Sequence, residues 1–226
     1  MYAKLPIKLI SFICFLFICE YLFRTYESYK YPRSGKVLNG VHYLYIGTHH
    51  DSPLVVLVSG CGCSLLEYSL VQPLIAEFAR VVSYDRPGLG WSKSTSKPRT
   101  LQNLAKDLYK LLQTIPGPYI LVGHSTAGII ITQLINDYPQ LEVKAVVLVD
   151  AIDGGFLDYL PDFPELIGML ASPPSKLWLT LQLNSGYLRF TDWLFRKDCR
   201  EAEGLDYNTM EAIKARYYAG DLLGSY

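Results

Sequence analysis

The 226-residue sequence predicts an α/β fold, a mostly parallel sheet with helices on both faces. Three observations lead there. Strand-like runs at Leu54–Val58, Arg80–Tyr84, Tyr119–Val122 and Val143–Val149 alternate with stretches of helical spacing. The runs are short and apolar, as in strands covered on both faces. Gly60, Asp85, Ser125 and Asp150 then fall at or just beyond the ends of these runs, where open α/β sheets place their ligands.

Composition narrows the class. Half the residues are hydrophobic and 18 are Tyr, which argues against disorder. Lys and Arg together number 21, as do Asp and Glu, so no electrostatic footprint for a nucleic-acid partner exists. The length suits one sizeable core with an appendage. The five cysteines, Cys14, Cys19, Cys61, Cys63 and Cys199, show no disulfide framework. Cys61-Gly62-Cys63 is too tight for zinc ligands of the C-x-x-C type, and no metal or cofactor is called for.

Residues 1–25 read as a membrane anchor or signal segment. Leu9 to Cys19 is free of charge and spans about 16 Å as a helix, roughly half a bilayer core. Tyr21, Leu22 and Phe23 extend it, Lys8 can snorkel, and no A-x-A-like cleavage site follows, so an uncleaved single-pass anchor is expected, with secretion after cleavage as the alternative. Residues 26–35 read as a linker. Asn39-Gly40 between Lys36–Leu38 and His42–Tyr45 signals a hairpin. His49-His50-Asp51 fits a polar turn better than a metal site. A helical pattern runs to about Phe78. Asp85 to Ser92 is a turn-rich loop in which Asp85 and Arg86 are expected to form a bracing ion pair. Leu101, Leu104, Leu108, Leu111 and Leu112 recur at helical spacing behind a Thr100 cap. After Gly155 the texture changes to proline-punctuated pieces rich in Leu, Tyr, Trp and Phe, read as a helical lid over residues 155–226.

The stretch from Tyr119 to Gly128 carries the chemistry. An apolar strand turns into a helix over Ile129–Asp137, with Gly123, Ala127 and Gly128 bracketing Ser125. Such a turn exposes one strained side chain, and small neighbours let strand and helix nearly touch. The helix N-terminus offers unpaired N–H groups to a developing oxyanion.

Together with Asp85-Arg86-Pro87-Gly88-Leu89-Gly90-Trp91-Ser92, about 40 residues earlier, this pattern resembles the α/β-hydrolase superfamily over roughly Ser34 to Asp153, with a core of 36–154. The resemblance implies serine hydrolase chemistry on a small ester- or amide-like substrate. Ser125 matches the nucleophile, and the N–H of Thr126 and of Cys61 match the two oxyanion donors. Ser59-Gly60 stands where many members have His-Gly. His124 is expected to line the pocket. Asp150 occupies a place where some members put the catalytic acid and most do not; a loop-bracing carboxylate is the preferred reading. The departure is histidine. Of His42, His49, His50 and His124, none lies after the sheet, where the family keeps its base. The chain is therefore expected to stop before the last strands, with an open sheet edge. A catalytically inactive member that binds a ligand or an unknown protein partner is the alternative.

Overall fold

The computed structural model describes residues 7–30, 33–48 and 51–152, together with Gly155, Ser185 and Tyr187. Among the described residues the strands are β1 (Lys36–Leu38), β2 (Val41–Ile46), β3 (Leu54–Val58), β4 (Arg80–Tyr84), β5 (Tyr119–His124) and β6 (Val143–Val149). The helices are α1 (Ile7–Lys30), α2 (Val71–Ala76), α3 (Leu101–Leu112) and α4 (Ala127–Asp137), with a 3₁₀ turn at Leu65–Tyr68. α1 belongs to one compact unit and the sheet, from Ser34 on, to another.

The sheet runs β1-β2-β4-β3-β5-β6. β2 is antiparallel to both β1 and β4, and the remaining pairs are parallel. Asn39 (φ 50°) and Gly40 (φ 85°) are both left-handed, as a two-residue type I′ hairpin requires. All five residues of β3 are buried because it lies inside the sheet with helices on each side. Leu54, Val56 and Val58 pack with Tyr84 and Leu121 against α3 and α4. Val55 and Leu57 face the opposite side, with Tyr68, Val81 and Ile75. The side chain of Thr100 caps α3, accepting from the Asn103 amide at 3.3 Å.

Three expectations need correction. The helical pattern up to Phe78 divides into the 3₁₀ turn and α2. The turn is pinned by hydrogen bonds from the Leu65 amide to Asp85 and from the Tyr68 hydroxyl to the Val58 carbonyl. The linker expected from Tyr26 begins later, because α1 continues to Lys30. β6, expected to be buried, is exposed on both faces, with Leu148 51% exposed, and no described strand pairs beyond it. Among the described residues no helix is long and apolar enough to cross a membrane. Lys8, Glu20, Arg24 and Lys30 interrupt α1, and Arg24 Nε bonds Glu20 Oε1 at 2.8 Å one turn away. The expected lid, 155–226, lies outside the described residues apart from Gly155, Ser185 and Tyr187, as do His49 and His50.

Candidate active site

β5 turns into α4 through Ser125, whose φ is 53°. A non-glycine residue held there costs on the order of 1–3 kcal/mol and persists only where its surroundings fix it. They do so here. The Ser125 carbonyl accepts from the amides of Gly128 (3.2 Å) and Ile152 (2.8 Å), and its amide donates to Val149 at 3.4 Å. A Cβ on Gly123 would lie 2.7 Å from Ile131 Cδ1, and one on Gly128 would run into the Ile152 carbonyl. Ala127, fully buried, would sit 3.1 Å from that Gly123 Cβ, so its small side chain fits the crowded fifth place of the motif. Ser125 is half-buried, and its hydroxyl has no hydrogen-bond partner among the described residues.

Facing the elbow is the loop after β3. The Arg86 guanidinium, itself buried, donates to the carbonyls of Ser59 and Gly60 and reaches that of Cys63 at 3.5 Å. The Cys63 amide donates to the Gly60 carbonyl at 3.2 Å, closing a turn with Gly62 at φ 69°. The Gly60 amide donates to Glu67 Oε2 at 2.9 Å. The amides of Cys61 and Thr126 have no acceptor among the described residues.

The expected ion pair between Asp85 and Arg86 does not form, because each is fully engaged elsewhere. Asp85 is completely buried. Its oxygens accept from the Leu65 amide (2.8 Å), His42 Nδ1 (2.6 Å) and the Trp91 amide (3.1 Å). Gly90 permits this, since a Cβ there would strike the carboxylate. One buried carboxylate thus joins β2, the 3₁₀ turn and the loop after β4, while Arg86 orients the loop after β3.

The histidines sort by partner. His42 is fully buried, with Nδ1 on Asp85 and Nε2 2.6 Å from the Ser34 carbonyl. With an oxygen partner at each ring nitrogen, it braces the hairpin and makes no hydrogen bond to Ser125. His124 Nδ1 is hydrogen-bonded to Glu67 Oε1, while the side chain is 39% exposed. Asp150 ends β6 exposed, at φ 43°, with no hydrogen bond among the described residues. Glu67 was not singled out from the sequence. Ser64-Leu65-Leu66-Glu67 reads as a capping box, in which the glutamate would turn back to its own cap. Ser64 does cap the turn, accepting from Leu66, but Glu67 reaches across to Gly60 and His124. Burial first, then this carboxylate, holds the Tyr68 phenol well above its usual range. A cavity of about 900 Å³ is lined by Asn39, Lys93, Thr95, Lys97, Asp107 and Lys110 among others, and not by Ser125.

A serine on a strained strand–helix turn, facing a loop with an unpaired amide, defines a hydrolase-type elbow on a doubly covered sheet. The alpha/beta hydrolase family model matches residues 55–222, and the chain belongs to that family. It is 37% identical over 98 residues to the magnesium-chelatase 30 kDa subunit of Rhodobacter capsulatus, covering 42% of this chain and 34% of that one. It is 30% identical over 129 residues to a poly(3-hydroxyalkanoate) depolymerase of Ectopseudomonas oleovorans, covering 56% and 44%. The chain thus spans less than half the length of these relatives. A candidate epoxide hydrolase of Pseudomonas aeruginosa superposes with a TM-score of 0.61 at 18% identity, over 85% of this chain and 66% of that one. At that identity the likeness speaks for the fold.

Proposed function

We propose that this chain is a serine hydrolase of the alpha/beta hydrolase family, with Ser125 as nucleophile. The observation that carries the reading is the left-handed Ser125 between β5 and α4, near the unpaired amides of Cys61 and Thr126. In the reaction, the Ser125 hydroxyl adds to an ester- or amide-like carbonyl and loses its proton to water; the C–O or C–N bond then breaks, the alcohol or amine leaves with a proton, and water hydrolyses the acyl-serine to the acid and free Ser125. The two amides and the N-terminus of α4 stabilise the oxyanion. His124, next to the serine and partly exposed, is placed to meet a substrate bound there. The depolymerase relative, named for a polyester substrate, agrees with ester chemistry. A serine at the elbow speaks against epoxide opening, for which the family uses an aspartate there.

A specific observation favours a second reading. His42 is committed to Asp85 and Ser34, and His124 to Glu67, so no described histidine hydrogen-bonds Ser125. A serine without a base is a poor nucleophile at neutral pH, which would suit a binding protein that keeps the fold. Labelling by a fluorophosphonate probe decides between the two. The hydrolase reading expects labelling of the full chain that disappears in Ser125→Ala. No labelling of a protein that circular dichroism finds folded would sink it and leave the binding reading.

We also propose that α1 associates with membranes. Its apolar side chains, among them Ile7, Phe12, Phe15, Ile18, Leu22 and Phe23, are exposed around the helix, and Lys8 and Lys30 stand at its ends. An exposed helix with no polar face suits an apolar medium.

A further inference from the structure

Resting on the serine hydrolase reading, we propose that Glu67 is a positioning residue that fixes the Cys61 amide toward Ser125 by fastening the loop after β3 to the elbow.

The argument starts from peptide planarity. In a trans peptide the C=O and N–H point in opposite directions, and the only cis bond among the described residues is Gly117–Pro118. The Ser59 carbonyl and Gly60 amide belong to one peptide unit, and the Gly60 carbonyl and Cys61 amide to the next. Both carbonyls accept from Arg86. Both amides therefore point away from the guanidinium. Glu67 Oε2 takes the first amide at 2.9 Å, and the second stays open. A cation on the Gly60 carbonyl also polarises that peptide, making the Cys61 N–H a stronger donor.

Arg86 sets the direction of the loop but does not tie it to the elbow. Glu67 supplies that tie, since its other oxygen holds His124 Nδ1, one residue before Ser125. The two segments meet at Gly60, where an added Cβ would lie 3.2 Å from both His124 Nδ1 and Ser125 Cβ. One carboxylate, 57 residues before His124 in the chain, thus joins the loop at Gly60 to the elbow. This role is separate from that of Asp85, which braces the loop from beneath and makes no described contact with the elbow.

The test compares Glu67→Ala and Glu67→Gln with wild type in full-length protein. The readouts are fluorophosphonate labelling of Ser125, resolved into the inactivation rate and the half-saturating probe concentration, and hydrogen exchange of the Gly60 amide. We expect Glu67→Ala to lower the inactivation rate about tenfold, short of the roughly 100-fold typical of losing a whole oxyanion donor, with half-saturation unchanged. Gly60 exchange should accelerate in the same variant. Glu67→Gln keeps an acceptor for Gly60 and should stay within about threefold of wild type. Wild-type labelling in Glu67→Ala, or an unchanged Gly60 exchange rate, overturns the proposal alone. A fall in rate that Glu67→Gln does not rescue also overturns it. An unlabelled, folded wild type overturns the nucleophile assignment and this role with it, and Gly60 exchange still shows whether the tie exists.

Discussion

Tyr84, the last residue of β4, offers the sharpest stability test. It is 2% exposed, and its hydroxyl is a buried polar atom without a hydrogen-bond partner among the described residues. Its ring packs in the core with Leu108 and Leu121. Burying a hydroxyl unpaired costs about 1–3 kcal/mol in proteins. Tyr84→Phe keeps the ring and removes that penalty, so it should raise the unfolding free energy at pH 7 by about 1–2 kcal/mol. The alkaline limb gives a second handle. Burial pushes the Tyr84 phenol from 10.0 up to about 12, partly opposed by Arg86. The folded state holds this proton more tightly than the unfolded one. The contribution is therefore intact below pH 10 and is lost as pH rises toward 12. Two pH units correspond to about 3 kcal/mol. Urea unfolding followed by tryptophan fluorescence at pH 7 and pH 10.5 reads both effects. The variant should be the more stable at pH 7 and should lose less stability on moving to pH 10.5. A loss of more than about 1 kcal/mol at pH 7, beyond the usual scatter of such swaps, would mean that the hydroxyl has a partner and would refute the reasoning.

Two further predictions follow from the elbow and from α1. Gly128→Ala places a methyl group against the Ile152 carbonyl and Ala151 Cβ; it should destabilise the fold by about 1–3 kcal/mol and slow fluorophosphonate labelling of Ser125, and wild-type behaviour in both assays would contradict the packing described. Removal of residues 1–30 should abolish co-sedimentation with phospholipid vesicles; equal sedimentation of the shortened and full-length proteins would count against a membrane role for α1.

The elements legible in the sequence were those specified by local chemistry. The apolar runs of β3 and β4, the Asn39-Gly40 hairpin, the Thr100 cap and the small residues around Ser125 each state their conformation within a few positions. What escaped was decided between segments distant in the chain. Asp85 and Arg86 are adjacent and opposite in charge, which suggests a pair, but the fold offers each stronger partners in β2, the 3₁₀ turn and the loop after β3. Glu67 looks like half of a local capping box until β5 brings His124 beside it. β6 has the composition of an interior strand and stands at an edge, because composition records which surfaces favour burial and not which neighbours are at hand. α1 outran its apolar stretch because Arg24 pairs with Glu20 along the helix, letting charged residues continue it to Lys30.

The dependence of Asp85 on His42 and Ser34 changes where the functional unit begins. The family match starts at residue 55, which would make the hairpin β1–β2 look like a dispensable preface. Yet the imidazole on Asp85 comes from β2, and the carbonyl steadying that imidazole comes from Ser34. Cutting the chain at the edge of the family match would leave a buried carboxylate short of its nearest donor, directly beneath the turn that carries Glu67. The smallest portion that keeps Asp85 and the turn above it braced therefore starts at Ser34, and the hairpin is inherited with the elbow.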